Sequence, residues 1–335
     1  MSTPRFNTRV VLAEKPQGAL TVEQFVLDEA PMPQPAAGEL LVRTRLLSID
    51  AANRAWMQSA TYRDELKAGV VMAGSGLGEV LESRDPGFAP GDLVYAGVGW
   101  QQHAVVAAAQ ARRLAPIEPL SHLLSVYGTS GLTAYLGLKN VGRVQPGETV
   151  VVSAAAGSVG SLVGQIAKLQ GARVVGIAGG RAKCDWLVDA LGFDAAVDYR
   201  AGPLAPQLKA AAPKGVDVYF DNVGGDVLGA CLFAMNTHGR IVCCGAVSQY
   251  DGPTPPHGPR GVPGLIVLKR LLVQGFFLPD HYGERDAAHA QLQAWVASGA
   301  LHVPEDVVDG LENAPAALVG LLAGENRGKR IVRVG

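Results

Sequence analysis

ETVVVSAAAGSVGSLVG, Glu148 to Gly164, reads as a strand, a small-residue turn and the start of a helix. The β-branched run Val150-Val151-Val152 stops at Ala154-Ala155-Ala156. Val159, Leu162, Val163 and Ile166 then recur at three- and four-residue steps, the period of a helix with one apolar face. A strand that turns straight into a helix over small residues opens a βαβ unit of the dinucleotide-binding kind. Gly157 and Gly160 fall where the last two glycines of G-x-G-x-x-G belong, with Ala155 in the first glycine place. The pattern predicts that Ala155, Gly157, Ser158, Val159 and Gly160 form the turn that receives a pyrophosphate. Gly157 lets the backbone approach, Gly160 lets the helix pack close to the strand, and the helix N-terminus offers free N–H groups and the positive end of its dipole.

The next strand, Arg173 to Ala178, ends at Gly179-Gly180-Arg181-Ala182-Lys183. Sites for NAD place an Asp or Glu at about this point, ~20 residues beyond the glycines, to bind ribose hydroxyls. Here there are two glycines and then two cations. A carboxylate repels a 2′-phosphate, whereas Arg181 and Lys183 attract one, so the tip predicts NADPH in preference to NADH.

The 335 residues suffice for two domains, and with 48% hydrophobic and 18% charged residues they describe a well-packed chain. A net charge of −1 without a basic block argues against nucleic acid or an anionic membrane surface as the main partner. No apolar run approaches the ~20 residues that span a bilayer, and the opening MSTPRFNTR lacks the apolar core of a signal peptide. Cys184, Cys231, Cys243 and Cys244 read as buried reduced thiols of a cytoplasmic protein.

Roughly the first 120 residues read as strands and turns, an all-β, barrel-like segment. From Tyr127 helix and strand alternate, with strands expected at Thr149–Ser153, Arg173–Ala178, Ala195–Tyr199, Val216–Val223, Arg240–Val247 and Leu272–Leu278. Helices between strands make a parallel, doubly wound sheet, an α/β fold. A last strand, Arg330 to Val334, follows a helix over Ala314–Leu322 and is expected to return to the β domain.

This order of parts resembles the medium-chain dehydrogenase/reductase superfamily. Tyr219-Phe220-Asp221-Asn222-Val223-Gly224-Gly225 resembles the Y-F-D-N-V-G-G signature of its zinc-independent double-bond reductase branch, which includes prostaglandin reductases, plant alkenal reductases and bacterial curcumin-reductase-like enzymes. Cys244-Gly245-Ala246-Val247-Ser248-Gln249-Tyr250, Gly324 to Lys329, and Gly131-Leu132-Thr133-Ala134-Tyr135 are similar to that branch in order and spacing. The resemblance implies a GroES-like β-barrel domain over residues 1–122 with 303–335, and a Rossmann domain over 123–302. It also implies NADPH/NADP+ as cofactor, an enal or enone substrate, and a homodimer.

Zinc is not expected. The chain has no cysteine before Cys184, Met72 to Gly78 stand where zinc-dependent relatives carry G-H-E, and the seven histidines are scattered. Without a metal, a conjugated double bond is an easier hydride acceptor than an isolated carbonyl. Hydride adds to the β-carbon, and the protein must answer the charge that develops on the carbonyl oxygen. By the resemblance Tyr250 faces the substrate, and it is the candidate donor to that oxygen. Solvent or a ribose hydroxyl remains an alternative source of the proton. By the same carry-over, Lys183 and Tyr199 lie near the 2′-phosphate and adenosine, Asn222 and Asn326 lie toward the nicotinamide, and Gly180, Cys244 and Gly245 are further cofactor-binding candidates. The pocket is expected to include Ala52, Tyr62 and Tyr250, with Trp56 and Trp100 as further aromatic lining. Ala52 departs from the family's D-P-Y-M-R string, here Asp50-Ala51-Ala52-Asn53-Arg54, and should enlarge the pocket. Two other readings stay open: a quinone reductase, and a non-catalytic NADPH-binding protein.

Overall fold

The computed structural model describes residues 6–61, 63–251 and 261–335. The N-terminal part holds β1 (Phe6–Leu12), β2 (Phe25–Pro31), β3 (Glu39–Ser48), a short α1 (Ala52–Ala55), β4 (Val70–Val71), β5 (Gly76–Ser83), β6 (Leu93–Ala96), β7 (His103–Ala107) and β8 (Arg112–Leu114). β1 pairs with β2 and β4, and β3 pairs antiparallel with both β5 and β7 at the centre of a seven-stranded sheet. Leu40 and Val42 of β3 are completely buried, as the inner face of a strand demands. Trp100 sits in the same core, stacked on Phe25 with ring centroids 5.5 Å apart.

The second part begins with α2 (Thr129–Leu136), which runs on as a π-helical turn to Gly142. It continues through β9 (Thr149–Ser153), α3 (Ser158–Leu169), β10 (Arg173–Ala178), α4 (Arg181–Asp189), β11 (Ala195–Asp198), α5 (Leu204–Ala211), β12 (Val216–Asp221), α6 (Gly225–Ala234), β13 (Met235–Cys243), α7 (Val262–Lys269), β14 (Leu272–Gly275) and α8 (Arg285–Ala297). The strands lie in the order β11-β10-β9-β12-β13-β14, every neighbouring pair parallel, the arrangement of a doubly wound dinucleotide-binding sheet. The valine run explains why β9 is central. Val150 and Val152 point into the core on one face and Val151 into the core on the other, all three fully buried. Each such side chain contributes roughly 1.5–3 kcal/mol by leaving water.

Three strands differ from the sequence expectation by more than one residue at an end. β12 stops at Asp221, because its carboxylate turns back to the N–H groups of Val223 and Gly224. β13 starts at Met235, helped past Gly239 by His238 in the left-handed region at φ 65°, and ends at Cys243. β14 ends at Gly275, after which Phe276 turns into the core. The chain then returns to the first sheet. β15 (Glu305–Asp309) pairs parallel with β16 (Lys329–Arg333), β16 pairs antiparallel with β3, and α9 (Ala314–Leu322) lies between them in sequence.

Candidate active site

The two parts meet along a cleft of about 1560 Å3, larger than the ~300–1,000 Å3 of most small-molecule pockets and roomy enough for a dinucleotide beside a substrate. Its floor is the turn from β9 into α3. Ala154 adopts φ 48°, a strained value for a residue with a Cβ, and its carbonyl oxygen then lies under the helix start. A Cβ on Gly160 would stand 2.3 Å from that oxygen, and one on Gly157 3.2 Å, so position 160 admits hydrogen alone. No side chain caps α3, which leaves its first N–H groups available to an anion. Gly157, Ser158, Val159 and Gly160 line the cleft. Ala155 does not. It is fully buried, its Cβ 2.9 Å from where a Cβ on Gly176 would lie, because the residue in the first glycine place turns into the sheet-helix packing.

At the tip of β10, Tyr199 lies over Gly179, with its hydroxyl 2.7 Å from where a side chain would begin. Gly180 opens α4 at φ 92° and donates its N–H to Asp198 at 2.8 Å, outside the cleft lining. The two cations part company. Arg181 is 88% exposed and pairs with Asp185 one helical turn on. Lys183 points inward, lines the cleft, and donates to the carbonyls of Gly324 at 2.7 Å and Asn326 at 2.6 Å. Burial first, then the positive charges of Arg200, Arg327 and Arg330, pulls its pKa down. Arg200, its guanidinium 5.7 Å from the Tyr199 ring centre, and Arg327 are therefore members of this basic cluster that the sequence reading did not single out. The segment that carries Asn326 is fixed to the glycine turn itself, where the Gly328 N–H donates to the Ala156 carbonyl at 2.8 Å.

Beyond the glycine turn, Asp221 organises the wall. Its Oδ1 accepts from the Tyr219 hydroxyl (2.7 Å), the Ser153 hydroxyl (3.2 Å) and the N–H groups of Val223 (3.0 Å) and Gly224 (2.9 Å). Its backbone carbonyl accepts from the N–H groups of Cys244 and Gly245 at 2.8 and 3.1 Å. One buried residue, through its carboxylate and its backbone carbonyl together, thus sets the loops that carry Asn222, Cys244 and Gly245, all of which line the cleft. Asn222 Nδ2 donates to the Ser153 carbonyl at 2.8 Å, and Asn326 Nδ2 to the Gly328 carbonyl at 2.8 Å. Both amide nitrogens are engaged with backbone, and neither side-chain oxygen accepts a hydrogen bond among the described residues. Burial, reinforced by the Asp221 charge, pushes the Cys244 thiol up to about 12.

Tyr250 follows a short 3-10 turn, Val247–Gln249, and lines the cleft. Its hydroxyl oxygen accepts the Ala246 N–H at 3.2 Å. The far end of the cleft is walled by Ala52, Trp56, Tyr95, Thr129, Phe277 and Tyr282. Tyr95 hydrogen-bonds with Ser75 and Thr129, and burial pushes its phenol pKa up. Trp100 is core, not lining, and Tyr62 lies outside the described residues. Beneath Ala52, the buried Lys329 ammonium donates to the Ile49 carbonyl at 2.9 Å and to the Asp50 carboxylate. Nothing in the separate positions 50 and 329 announces that pair. Among the described residues no group of three or more His, Cys, Asp or Glu is placed to hold a metal ion, and no helix is long and apolar enough to cross a membrane.

Two family models match the chain: one described as the N-terminal domain of oxidoreductase, over residues 8–114, and one described as zinc-binding dehydrogenase, over residues 158–294. The NADPH-dependent curcumin reductase of Escherichia coli (strain K12) is 42% identical over 98% of this chain and 97% of its own. The 2-alkenal reductase (NADP(+)-dependent) of Nicotiana tabacum is 39% identical over 89% of this chain and 88% of its own. The crystal structure of CurA in complex with NADPH from Vibrio vulnificus superposes with a TM-score of 0.92 at 40% identity, covering 98% of this chain and 99% of that one.

Proposed function

Because the chain belongs to the double-bond reductase branch of the medium-chain dehydrogenase/reductase superfamily, we propose that it is an NADPH-dependent reductase of the carbon–carbon double bond of α,β-unsaturated aldehydes and ketones. The residues present suit the cofactor: an uncapped helix start over a glycine that admits no side chain, and a lysine surrounded by arginines with no acid in the ribose position. Gly157, Ser158, Val159 and Gly160 would hold the pyrophosphate. Lys183, Tyr199 and Arg200 would hold the 2′-phosphate end, and Asn222, Cys244, Gly245 and Asn326 the nicotinamide end. When bound, NADPH supplies the hydride for the β-carbon.

One observation carries the chemistry. The Tyr250 oxygen accepts a hydrogen bond from Ala246, and among the described residues its own proton is donated to none. A neutral phenol in that state can donate to a substrate carbonyl as negative charge grows there. Asn222, Cys244 and Gly245, fixed through Asp221, keep the neighbouring wall rigid. At the far end Ala52, Trp56 and Phe277 offer apolar surface to the carbon skeleton of the substrate. The proton for the α-carbon comes from the phenol or, alternatively, from a ribose hydroxyl or solvent.

Stopped-flow oxidation of enzyme-bound NADPH against a panel of enals, enones and benzoquinones tests the reading. Fast turnover of enones is expected. Turnover of quinones alone would replace it with a quinone reductase, and no turnover despite tight binding with a non-catalytic NADPH-binding protein. Activity should persist in a chelator, and elemental analysis should find no stoichiometric zinc. The exposed β14 and the neighbouring Val267 and Leu268, 73% and 71% exposed, support a homodimer in which a second copy covers that edge. The four free cysteines fit a reducing compartment such as the cytoplasm.

A further inference from the structure

Arg54, in α1, is 2% exposed, and its ion partner lies 197 residues away across the cleft. Nε donates to Asp251 Oδ1 at 2.8 Å, and Nη2 donates to the Gly18 carbonyl at 2.8 Å. The Leu20 N–H donates to the same Asp251 oxygen, also at 2.8 Å. The carboxylate of the residue that follows Tyr250 is therefore gripped by two donors from the N-terminal part of the chain, one of them a buried cation.

What holds Tyr250 from its own side is weaker. The 3-10 turn before it contains no buried residue. The Ala246 bond to the phenol is long at 3.2 Å, and the other anchors are neutral: the Ser248 hydroxyl donates to the Val223 carbonyl at 2.6 Å, and the N–H groups of Val247, Ser248 and Tyr250 donate to the carbonyls of Asn222, Val223 and Val247 at 3.2 Å each. A charge-assisted bond from a cation almost out of contact with water is stronger than any one of these neutral bonds. An arginine suits the task better than a lysine, because its planar fork sends one N–H to the carboxylate and another to a backbone carbonyl in a fixed geometry. α1 also carries Ala52, so the same short helix that shapes the substrate wall reaches the residue beside the phenol.

We propose that Arg54 and Asp251 are positioning residues, a part-buried pair that spans the cleft and aims the Tyr250 phenol at the substrate oxygen. This rests on Tyr250 being the donor to that oxygen. Reaction rates are steep in such placement, about 100-fold for a misplacement near 1 Å.

The test is a double-mutant cycle on the full chain with Tyr250→Phe, Asp251→Asn and the two combined. Single-turnover enone reduction, NADPH affinity by fluorescence titration, and thermal melting are measured on each. Asp251→Asn is expected to slow turnover by about 10- to 100-fold while NADPH affinity stays within twofold. Placed on Tyr250→Phe, it should cost almost nothing more, because there is no longer a hydroxyl to aim. Asp251→Glu should recover part of the rate. If Asp251→Asn fails to fold, Arg54→Lys, which keeps the charge and loses the fork, serves in the same cycle with the same expectation. Multiplying losses in the double variant, a parallel fall in NADPH affinity, or an Asp251→Asn enzyme as fast as the unmodified one would overturn the proposal and leave Tyr250 as donor. Full activity in Tyr250→Phe alone would overturn the donor reading first, and the positioning role with it.

Discussion

A phenol oxygen that already accepts a backbone hydrogen bond is a stronger donor through its own proton, which is the state of Tyr250. Tyr250→Phe is expected to lower kcat by roughly 10- to 1000-fold, the upper end being the loss of one oxyanion donor, with NADPH affinity unchanged. Rapid-mixing single turnovers check it. Lys183→Ala should weaken NADPH by about 1–3 kcal/mol and leave NADH nearly untouched, as read by parallel titrations. Arg181→Ala should change neither, since that side chain is committed to Asp185 at the surface. The cation pair shows where the sequence was legible and where it was not. A run of glycine and cations after the second strand announces a 2′-phosphate site, but only helical geometry decides which cation faces it. The Asp four residues beyond Arg181 was the readable sign of an outward i,i+4 pair. Asp221 stood in a recognised string, yet its many donors come from two strands and a turn and have no linear pattern.

Apart from Ala155, the β9–α3 junction was legible because its constraints are local: a β-branched run, a turn, a helical period. Gly160→Ala tests how tight that junction is. With a Cβ 2.3 Å from the Ala154 oxygen, the helix must shift, costing about 1–3 kcal/mol as overpacking does, and the displaced helix start should bind NADPH poorly. Thermal melts and titration together measure both effects. The starts and ends of β12, β13 and β14 were less legible, because each is decided by a turn or a packing contact that leaves no periodic pattern. Asp221 turns back on its own loop, His238 accepts a left-handed conformation against β12, and Phe276 turns in toward the core.

That the final strand rejoins the first sheet was readable from its place after the nucleotide-binding strands. What was unreadable is how the return segment clasps the glycine turn and Lys183, so that both parts of the chain line one cleft. If β14 is the dimer edge, Val273→Glu should give a monomer by light scattering while the monomer still binds NADPH. A final consequence follows from Cys244. Enals and enones are soft electrophiles that alkylate thiolates, and an enzyme that handles them carries a sulfur on the wall of its own cleft. With the thiol pushed up to about 12, only about one molecule in 10^5 carries a thiolate there at pH 7. Burial, with the Asp221 charge added to it, thereby protects the catalyst from its substrate. Mass spectrometry after prolonged incubation with a reactive enal at pH 7 should find Cys244 unmodified, and modification should appear only as the pH rises toward the thiol's own value.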